Sequence, residues 1–329
     1  MIDFRYHLVS IVSIFVALAV GIVLGAGPLQ GGIGTQLTDQ VSQLRKDMET
    51  LRTERDDSTK TVTAQEDYAA AVASSALAGR LKGKSVVLVV TPDTAGKFAE
   101  QTTTAMQQAG ATVTGLVTLK DAYRAPDSAA DRLEAAKAAA AEVGVAASAG
   151  PDQLLARVLA AVLVKGPTRS TATSSPPSSA RPETPTAALG AAAALRTLGS
   201  AGLLDVSTDA PAKAELVVVL GGPISGTSDS VTSQTATMTT LLSTLDAASG
   251  GVVVAAAAPT TAVGQETTTN LVTAVRADKS LAAVISSVDH ADSAVGAGVL
   301  VLAAAEQENG KAGQYGISAD AKVDVPTAP

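Results

Sequence analysis

The 329-residue chain contains no cysteine and no tryptophan, and aromatic residues make up only 2% of it. Without cysteine there are no disulfides, no thiolate metal ligands and no cysteine nucleophile. Acidic residues outnumber basic ones, giving a formal net charge of −7, and such a chain lacks the basic surface that neutralises nucleic-acid phosphates. The composition therefore predicts a core of small aliphatic side chains and no nucleic-acid partner.

Residues that carry catalysis are also scarce. The chain has only two histidines, His7 and His290, and it has no GxSxG motif. His290 lies between Asp289 and Asp292, which could orient a base or hold a metal, but no second imidazole stands beside it, so a zinc or serine hydrolase has little material to work with. We therefore expect no catalytic residue, no metal site and no cofactor, and we interpret the protein as a non-enzyme.

One long apolar run lies near the N-terminus. Residues 8–26 read LVSIVSIFVALAVGIVLGA and carry no charge, and a helix of this length spans the core of a bilayer. We interpret residues 8–27 as an uncleaved transmembrane anchor, because the apolar part of a cleaved signal peptide is shorter. Arg5 precedes the run, which favours a cytoplasmic tail at residues 1–7 and an extracytoplasmic remainder.

Small residues recur at every fourth position of this anchor, at Ala17, Gly21 and Gly25. This spacing lets two membrane helices approach closely, although small residues are common enough here for the pattern to arise without pairing. A stretch rich in glycine, with one proline, follows at residues 27–34. It predicts a break in the helix and a short flexible joint.

Beyond the joint, apolar residues step by four and three along the chain. They are Leu37, Val41, Leu44, Met48 and Leu51. This spacing predicts a coiled-coil seam within a helix at residues 36–78, with leucine at the d positions. In a parallel pair, Asp47 at position g faces Arg52 at position e of the other helix. The partner is a second copy or another envelope protein; alternatively, the stripe packs on the protein's own globular domain.

The remaining residues, 81–329, alternate aliphatic runs with helical stretches. Most of the runs are nearly continuous in valine, leucine or alanine, as in strands buried on both faces of a parallel sheet. The runs are residues 85–90, 112–119, 215–220, 251–257 and 282–286. Helices are expected at residues 96–109, 128–142, 153–164, 231–248, 262–277 and 295–308. The pattern predicts a doubly wound, mainly parallel α/β sheet, with a disordered Pro/Ser/Thr-rich loop at residues 166–188.

Ligands of such sheets bind where the parallel strands end. The predicted strand ends present Asp93, Gly221, Gly222, Asp289 and His290. The glycine pair lacks both the GxGxxG spacing and a Walker lysine, so a tight turn is the simpler interpretation, and a lone histidine is accounted for by a solvated loop. These five residues form a candidate ligand cleft without an assigned chemistry.

Both ends of the chain carry a family resemblance. The opening MIDFRYHLVSIVSIFVALAVGIVLGAGPLQ, followed by a coiled coil, and the tail NGKAGQYGISADAKVDVP resemble the actinobacterial copper-transporter family named for mycobacterial copper transport protein B. The resemblance implies copper efflux and homeostasis and, for mycobacterial members, a pore in the outer membrane. Related corynebacterial members are tied to cell separation with a partner protein.

The residues themselves offer little chemistry for copper. Copper(I) prefers the sulfur of cysteine and methionine, and Met48, Met106 and Met238 are scattered singly. No copper ligand is therefore carried over from the family to a residue of this chain. Two functions stay open: copper handling at the cell envelope, and a non-enzymatic scaffold that docks a partner controlling cell separation and peptidoglycan hydrolysis.

Overall fold

The structure, a computed structural model, describes residues 4–26, 29–166, 185–207, 212–258, 268–323 and 325–326. The chain divides into two compact units, residues 1–65 and 66–329. The described residues of the first unit are helical, and the second contains the β-sheet.

Two helices account for the N-terminal region. Helix α1 is Phe4–Ala26, and its residues Arg5–Gly25 are long and apolar enough to cross a membrane. Helix α2 is Leu29–Leu77. It starts inside the stretch for which the sequence predicts a flexible joint, so that prediction is wrong for residues 29–34, and residues 27 and 28 lie outside the described residues. A glycine weakens a helix by only about 1 kcal/mol relative to alanine, which a helix of this length tolerates.

Nine strands follow in the second unit. They are β1 (Ser85–Val90), β2 (Thr112–Leu119), β3 (Leu204–Val206), β4 (Leu216–Gly221), β5 (Pro223–Ser225), β6 (Gly251–Ala256), β7 (Thr268–Asn270), β8 (Ser286–Val288) and β9 (Gln314–Tyr315). Seven of them form one sheet in the order β3-β2-β1-β4-β6-β8-β9. Its neighbours pair in parallel except β2 with β3, and β5 and β7 form a separate antiparallel pair.

Helices cover both faces of this sheet. They are α3 (Gly96–Gln108), α4 (Asp121–Arg124), α5 (Ala129–Val143), α6 (Pro151–Leu163), α7 (Pro185–Ser200), α8 (Ser228–Ala248), α9 (Leu271–Ala277), α10 (Lys279–Ala282) and α11 (Ala294–Glu308). One core lies between the sheet and α5 to α9, and the other between the sheet, α3, α11 and the end of α2. Successive side chains of β1 alternate between them, Val87 in the first and Leu88 in the second. The predicted doubly wound α/β fold is confirmed.

The last predicted strand is displaced along the chain. The sequence predicts a strand at residues 282–286, whereas α10 occupies the start of this run and β8 begins at its end. A helix cap is the reason, because the Asp278 carboxylate accepts the backbone N–H groups of Ser280 and Leu281 and so starts a helical turn. The chain after Asp278 therefore begins as a helical turn, and the strand starts only at Ser286.

The helix predicted at residues 262–277 is shorter in the structure. Residues 259–267 lie outside the described residues, β7 comes next, and α9 begins only at Leu271. Asn270 fixes that start, since its side-chain oxygen accepts the backbone N–H of Thr273 at 2.9 Å. The prediction is therefore wrong for the three residues that form β7.

The segment predicted as a disordered loop, residues 166–188, lies mostly outside the described residues, which stop at Gly166 and resume at Pro185. Helix α7 begins at Pro185 and so occupies the end of that segment. This helix is absent from the predicted elements. It packs on α5 and α6 through apolar side chains such as Leu195 and Leu198, which are fully buried in the first core.

Candidate functional site

The strand order places a crevice beside β1. The chain runs from β1 to β2 on one side and returns to β4 on the other, so the connections leave β1 and β4 in opposite directions. Ligands of open α/β sheets bind at such a switch point, outside the carboxyl ends of the strands. Asp93 follows β1, Gly221 is the last residue of β4 and Gly222 comes next, and these three residues line one cavity of about 340 Å³.

Direct hydrogen bonds join the two loops that flank this crevice. The backbone N–H of Gly222 donates to the Thr91 hydroxyl at 2.8 Å, and the Thr94 hydroxyl donates to the Leu220 carbonyl at 3.2 Å. The approach is so close that a Cβ on Gly222 would clash with the carbonyl oxygen of Pro92. Only glycine therefore fits at this position without moving the loop after β1.

Asp93 connects this crevice to a buried arginine. Its backbone is left-handed, with φ of +63°, a conformation that non-glycine residues adopt rarely. Its carboxylate accepts a hydrogen bond from Nη2 of Arg124 at 2.8 Å. Arg124 is almost fully buried, and it also donates to the Asp121 carboxylate at 3.2 Å and to the Pro223 carbonyl at 3.1 Å. The guanidinium thus ties the loop after β1 to α4 and to β5.

A second cavity, of about 530 Å³, lies against this ion pair. Its polar lining consists of Asp93, Asp121, Arg124, Asp127, Ser225, Ser230 and Gln234. Asp93 lines both cavities. The arrangement presents carboxylates, hydroxyls and a side-chain amide around one buried cation, which suits binding of a polar molecule by hydrogen bonds.

Arg124 and Asp121 are absent from the predicted site. Both lie on α4, directly after β2, so the rule that places ligands at strand ends points to them once it is applied to this strand as well. Burial of an arginine, in contrast, has no signal in the sequence. It follows from the packing of α4 against α8 and β5.

Asp289 and His290 lie away from the crevice beside β1. Neither lines the two cavities described above. The buried Asp289 carboxylate accepts hydrogen bonds from Nη1 of Arg276 at 2.7 Å and from the backbone N–H groups of Ile317 at 2.9 Å and Ser318 at 3.3 Å, and Nδ1 of His290 lies 2.7 Å from it. Arg276 also donates to the Tyr315 carbonyl at 2.6 Å. The ion pair of Asp289 and Arg276 therefore fastens the C-terminal segment to the end of β8.

These contacts also set the ionisation of Asp289. Burial pushes the pKa of Asp289 upward, but hydrogen bonds from His290 and Arg276 outweigh it and hold that pKa below the ordinary value. The carboxylate is thus charged and fully engaged by its own protein. This is the environment of a structural ion pair rather than of a ligand site.

The positions of the carboxylate, histidine and methionine side chains show which of them could bind a metal ion together. Within the described ranges, no group of three or more histidine, aspartate or glutamate side chains could hold a metal ion. Met106 and Met238 are both fully buried, in opposite cores, and Met48 is exposed on α2. Met106 and Met238 are therefore not brought together.

The predicted coiled-coil seam lies on an open helix face. Its five residues, Leu37, Val41, Leu44, Met48 and Leu51, are all exposed. On α1, Ala17, Gly21 and Gly25 are also exposed, and added Cβ atoms on the two glycines would meet nothing within 4 Å. The named residues of both predicted pairing faces are therefore exposed.

Comparison with known protein families identifies the family of this chain. A family model described as "Copper transport outer membrane protein, MctB" matches residues 1–326. The chain belongs to the MctB family. This confirms the resemblance found in the sequence, and the description of the family names transport and no class of enzyme.

Individual relatives match over a smaller part. The proteins named copper transporter MctB from Mycobacterium bovis and Mycobacterium tuberculosis are 32% identical to this chain over 129 residues, or 39% of this chain and 41% of theirs. The chain thus spans about two fifths of the length of these curated relatives. Together with the apolar helix α1, membership of the MctB family indicates an association with the membrane of the cell envelope.

Proposed function

We propose that this protein is a membrane-anchored component of copper transport and homeostasis at the cell envelope. The observation that carries the proposal is the match of the MctB family model across residues 1–326. The relatives from Mycobacterium named as copper transporters support it. We assign no catalytic role to any residue.

Anchoring is proposed to be by a single pass through α1. Residues 1–7 form a short cytoplasmic tail, residues 8–27 the membrane span, residues 36–78 a helix whose first part pairs as a coiled coil, and residues 81–329 an extracytoplasmic domain. Arg5 supports this orientation, because positive residues flanking a first membrane helix favour the cytoplasmic side.

The protein is proposed to act on copper through an assembly rather than through a copper site of its own α/β domain. Copper(I) is bound by clustered sulfur ligands, and Met106 and Met238 lie in separate cores. The assembly surface is proposed to be the exposed stripe of α2, which recruits a second copy or another envelope protein.

The crevice beside β1 is proposed as the site of a small polar ligand. Asp93, Gly221 and Gly222 line it, and Arg124 holds Asp93 at its edge. The support is the switch-point location together with the left-handed backbone of Asp93, since strained conformations cluster at binding sites.

A deletion strain tests the proposed function directly. We expect the strain to be more sensitive to copper than its parent, and we expect the full chain to restore tolerance. A full chain with Phe15→Asp and Val16→Asp should not restore tolerance, because two charges at the centre of α1 prevent stable membrane insertion. As a matched control, Phe15→Leu with Val16→Leu keeps α1 apolar and should restore tolerance fully.

The same strain separates the two functions that the sequence leaves open. Normal copper tolerance combined with chains of unseparated cells would contradict the copper proposal and favour a scaffold for cell separation. Cell length and septum number, measured by microscopy with and without added copper, give that comparison.

A further inference from the structure

We propose that Leu37, Val41, Leu44, Met48 and Leu51, called the seam below, join two copies of this chain in a parallel, two-stranded coiled coil that ends before Arg55. The inference rests on the membrane anchoring proposed above and names the partner of α2. It assigns to the partner the same five residues.

The seam consists of exposed apolar side chains on α2. Its members range from 41% exposed at Val41 to 63% exposed at Leu51, whereas large apolar side chains in a folded protein are usually buried. The end of the same helix behaves differently, since Ala73 is half-buried and Leu77 fully buried against the second core. Within the second unit, the end of α2 therefore packs on the α/β domain.

The seam has a defined limit. The next positions of the heptad are Arg55 and Ser58, and polar residues there weaken a coiled coil. Arg55 forms an exposed ion pair with the neighbouring Asp56 at 2.7 Å, and Lys60 forms another with Asp57 at 3.1 Å. These charges are satisfied within one helix, so they neither need nor favour a partner helix.

The anchor determines the direction of pairing. Two copies inserted through α1 in one membrane begin their α2 helices at the same level, so the same seam residues face each other. Leucine at d with a β-branched residue at a, here Val41, favours two strands. Asp47 at position g then lies opposite Arg52 at position e of the second copy, which is complementary in charge. A second copy therefore meets each requirement with residues that are present in this chain.

The seam is also short, which makes pairing depend on the membrane. From Leu37 to Leu51 it spans two heptads, or roughly 20 Å of helix. So short a coiled coil is marginal between freely diffusing chains, but tethering in one membrane raises the effective concentration of the second helix. The test must therefore use the full chain in its membrane.

The absence of native cysteine allows a test with single introduced thiols. Leu44→Cys places a thiol in the seam, and Thr53→Cys, at position f of the same helix, places one on the opposite side as a matched control. Membranes containing each full-length variant are treated with diamide and separated on a non-reducing gel. We expect Leu44→Cys to form covalent dimers several-fold more efficiently than Thr53→Cys.

The charge pair provides a second measurement in the same background. Adding Asp47→Lys to Leu44→Cys should reduce the dimer yield, and adding Arg52→Glu as well should restore it. One exposed pair contributes little, so the change in dimer yield should be modest. Because salt screens exposed charges, the change should be smaller still at high salt. Equal yields from Leu44→Cys and Thr53→Cys, no dimer from Leu44→Cys, or a product of a different mass would each overturn the inference.

Copper tolerance of the same strains keeps the inference separate from the proposed function. A Leu44→Cys chain that restores tolerance but forms no dimer overturns the pairing alone. A deletion strain with normal tolerance, in which Leu44→Cys still forms dimers, contradicts the copper proposal and leaves the pairing in place.

Discussion

Asp289 and Arg276 form an ion pair of 2.7 Å in which the two side chains are only 6% and 4% exposed. Each has further partners, because Asp289 accepts the backbone N–H of Ile317 and Arg276 donates to the Tyr315 carbonyl. The pair therefore holds the C-terminal segment against the edge of the sheet. Removing Arg276 takes from Asp289 its buried cationic partner, whereas removing Asp289 leaves Arg276 with the partly exposed Asp320 at 2.7 Å.

Replacing Arg276 should destabilise the fold strongly. We expect Arg276→Met to lower the free energy of unfolding by about 3 kcal/mol, in the range found when one partner of a buried pair is lost. Urea denaturation of the full chain in detergent, followed by circular dichroism, measures this. The control is Lys137→Met, which removes the exposed pair with Glu134 on α5 and should change the value by less than about 1 kcal/mol. Similar losses in both variants would contradict the prediction.

The same pair predicts a dependence on acid. The pKa of Asp289 is lowered in the folded state, so the contribution of this carboxylate is fully present above the unfolded pKa of about 3.9 and is lost as pH falls through the folded pKa. We expect Asp289→Asn to be less stable than the native chain at pH 7, and the difference to shrink below about pH 4. Urea midpoints measured from pH 7 down to pH 3 test this. A constant difference across that range would exclude the assigned role.

Gly222 provides a test of the crevice geometry. Gly222→Ala places a methyl group against the backbone of Pro92, so we expect a loss of about 1 to 3 kcal/mol, as for other overpacked sites. Gly298→Ala is the control, because a Cβ there meets nothing within 4 Å and alanine favours a helix by up to about 1 kcal/mol. Opposite signs in thermal denaturation are expected. A neutral Gly222→Ala would show that the loop after β1 yields easily.

The scattered methionines predict the result of a copper titration. We expect the purified full chain, titrated with Cu(I) against a competing chelator, to show no saturable stoichiometric site, since soft ligands are not clustered. Met48→Leu removes the one exposed methionine among Met48, Met106 and Met238 and should leave the titration unchanged. Stoichiometric binding that Met48→Leu abolishes would instead place copper on α2.

Much of the fold could be predicted from the sequence because its central strands are almost pure aliphatic runs. The predicted bounds of β1 and β2 agree with the structure, and those of β4 and β6 differ by one residue at most at each end. The two-residue strand β9 has no such signal. It exists because Gln314 and Tyr315 pair with β8 and because Arg276 holds the Tyr315 carbonyl, and contacts between residues so distant in sequence leave no local pattern.

The candidate site could be predicted only in part, for a related reason. Asp93, Gly221 and Gly222 follow from the rule that ligands bind at strand ends, and the structure brings them to one cavity. The same rule grouped Asp289 and His290 with them. The structure does not bring those two residues to the same cavity, and the Asp289 carboxylate instead accepts the backbone N–H of Ile317, from a tail that arrives from elsewhere in the chain.

The position of this tail also has a consequence for the order in which the domain is completed during synthesis. Arg276 and Asp289 are translated before residues 314–317, whose backbone groups they bind. Until those residues emerge, β8 presents an unpaired edge to which another extended chain can add. A ribosome that stalls within this interval would therefore leave a nearly finished sheet with an open edge, which can pair with another chain.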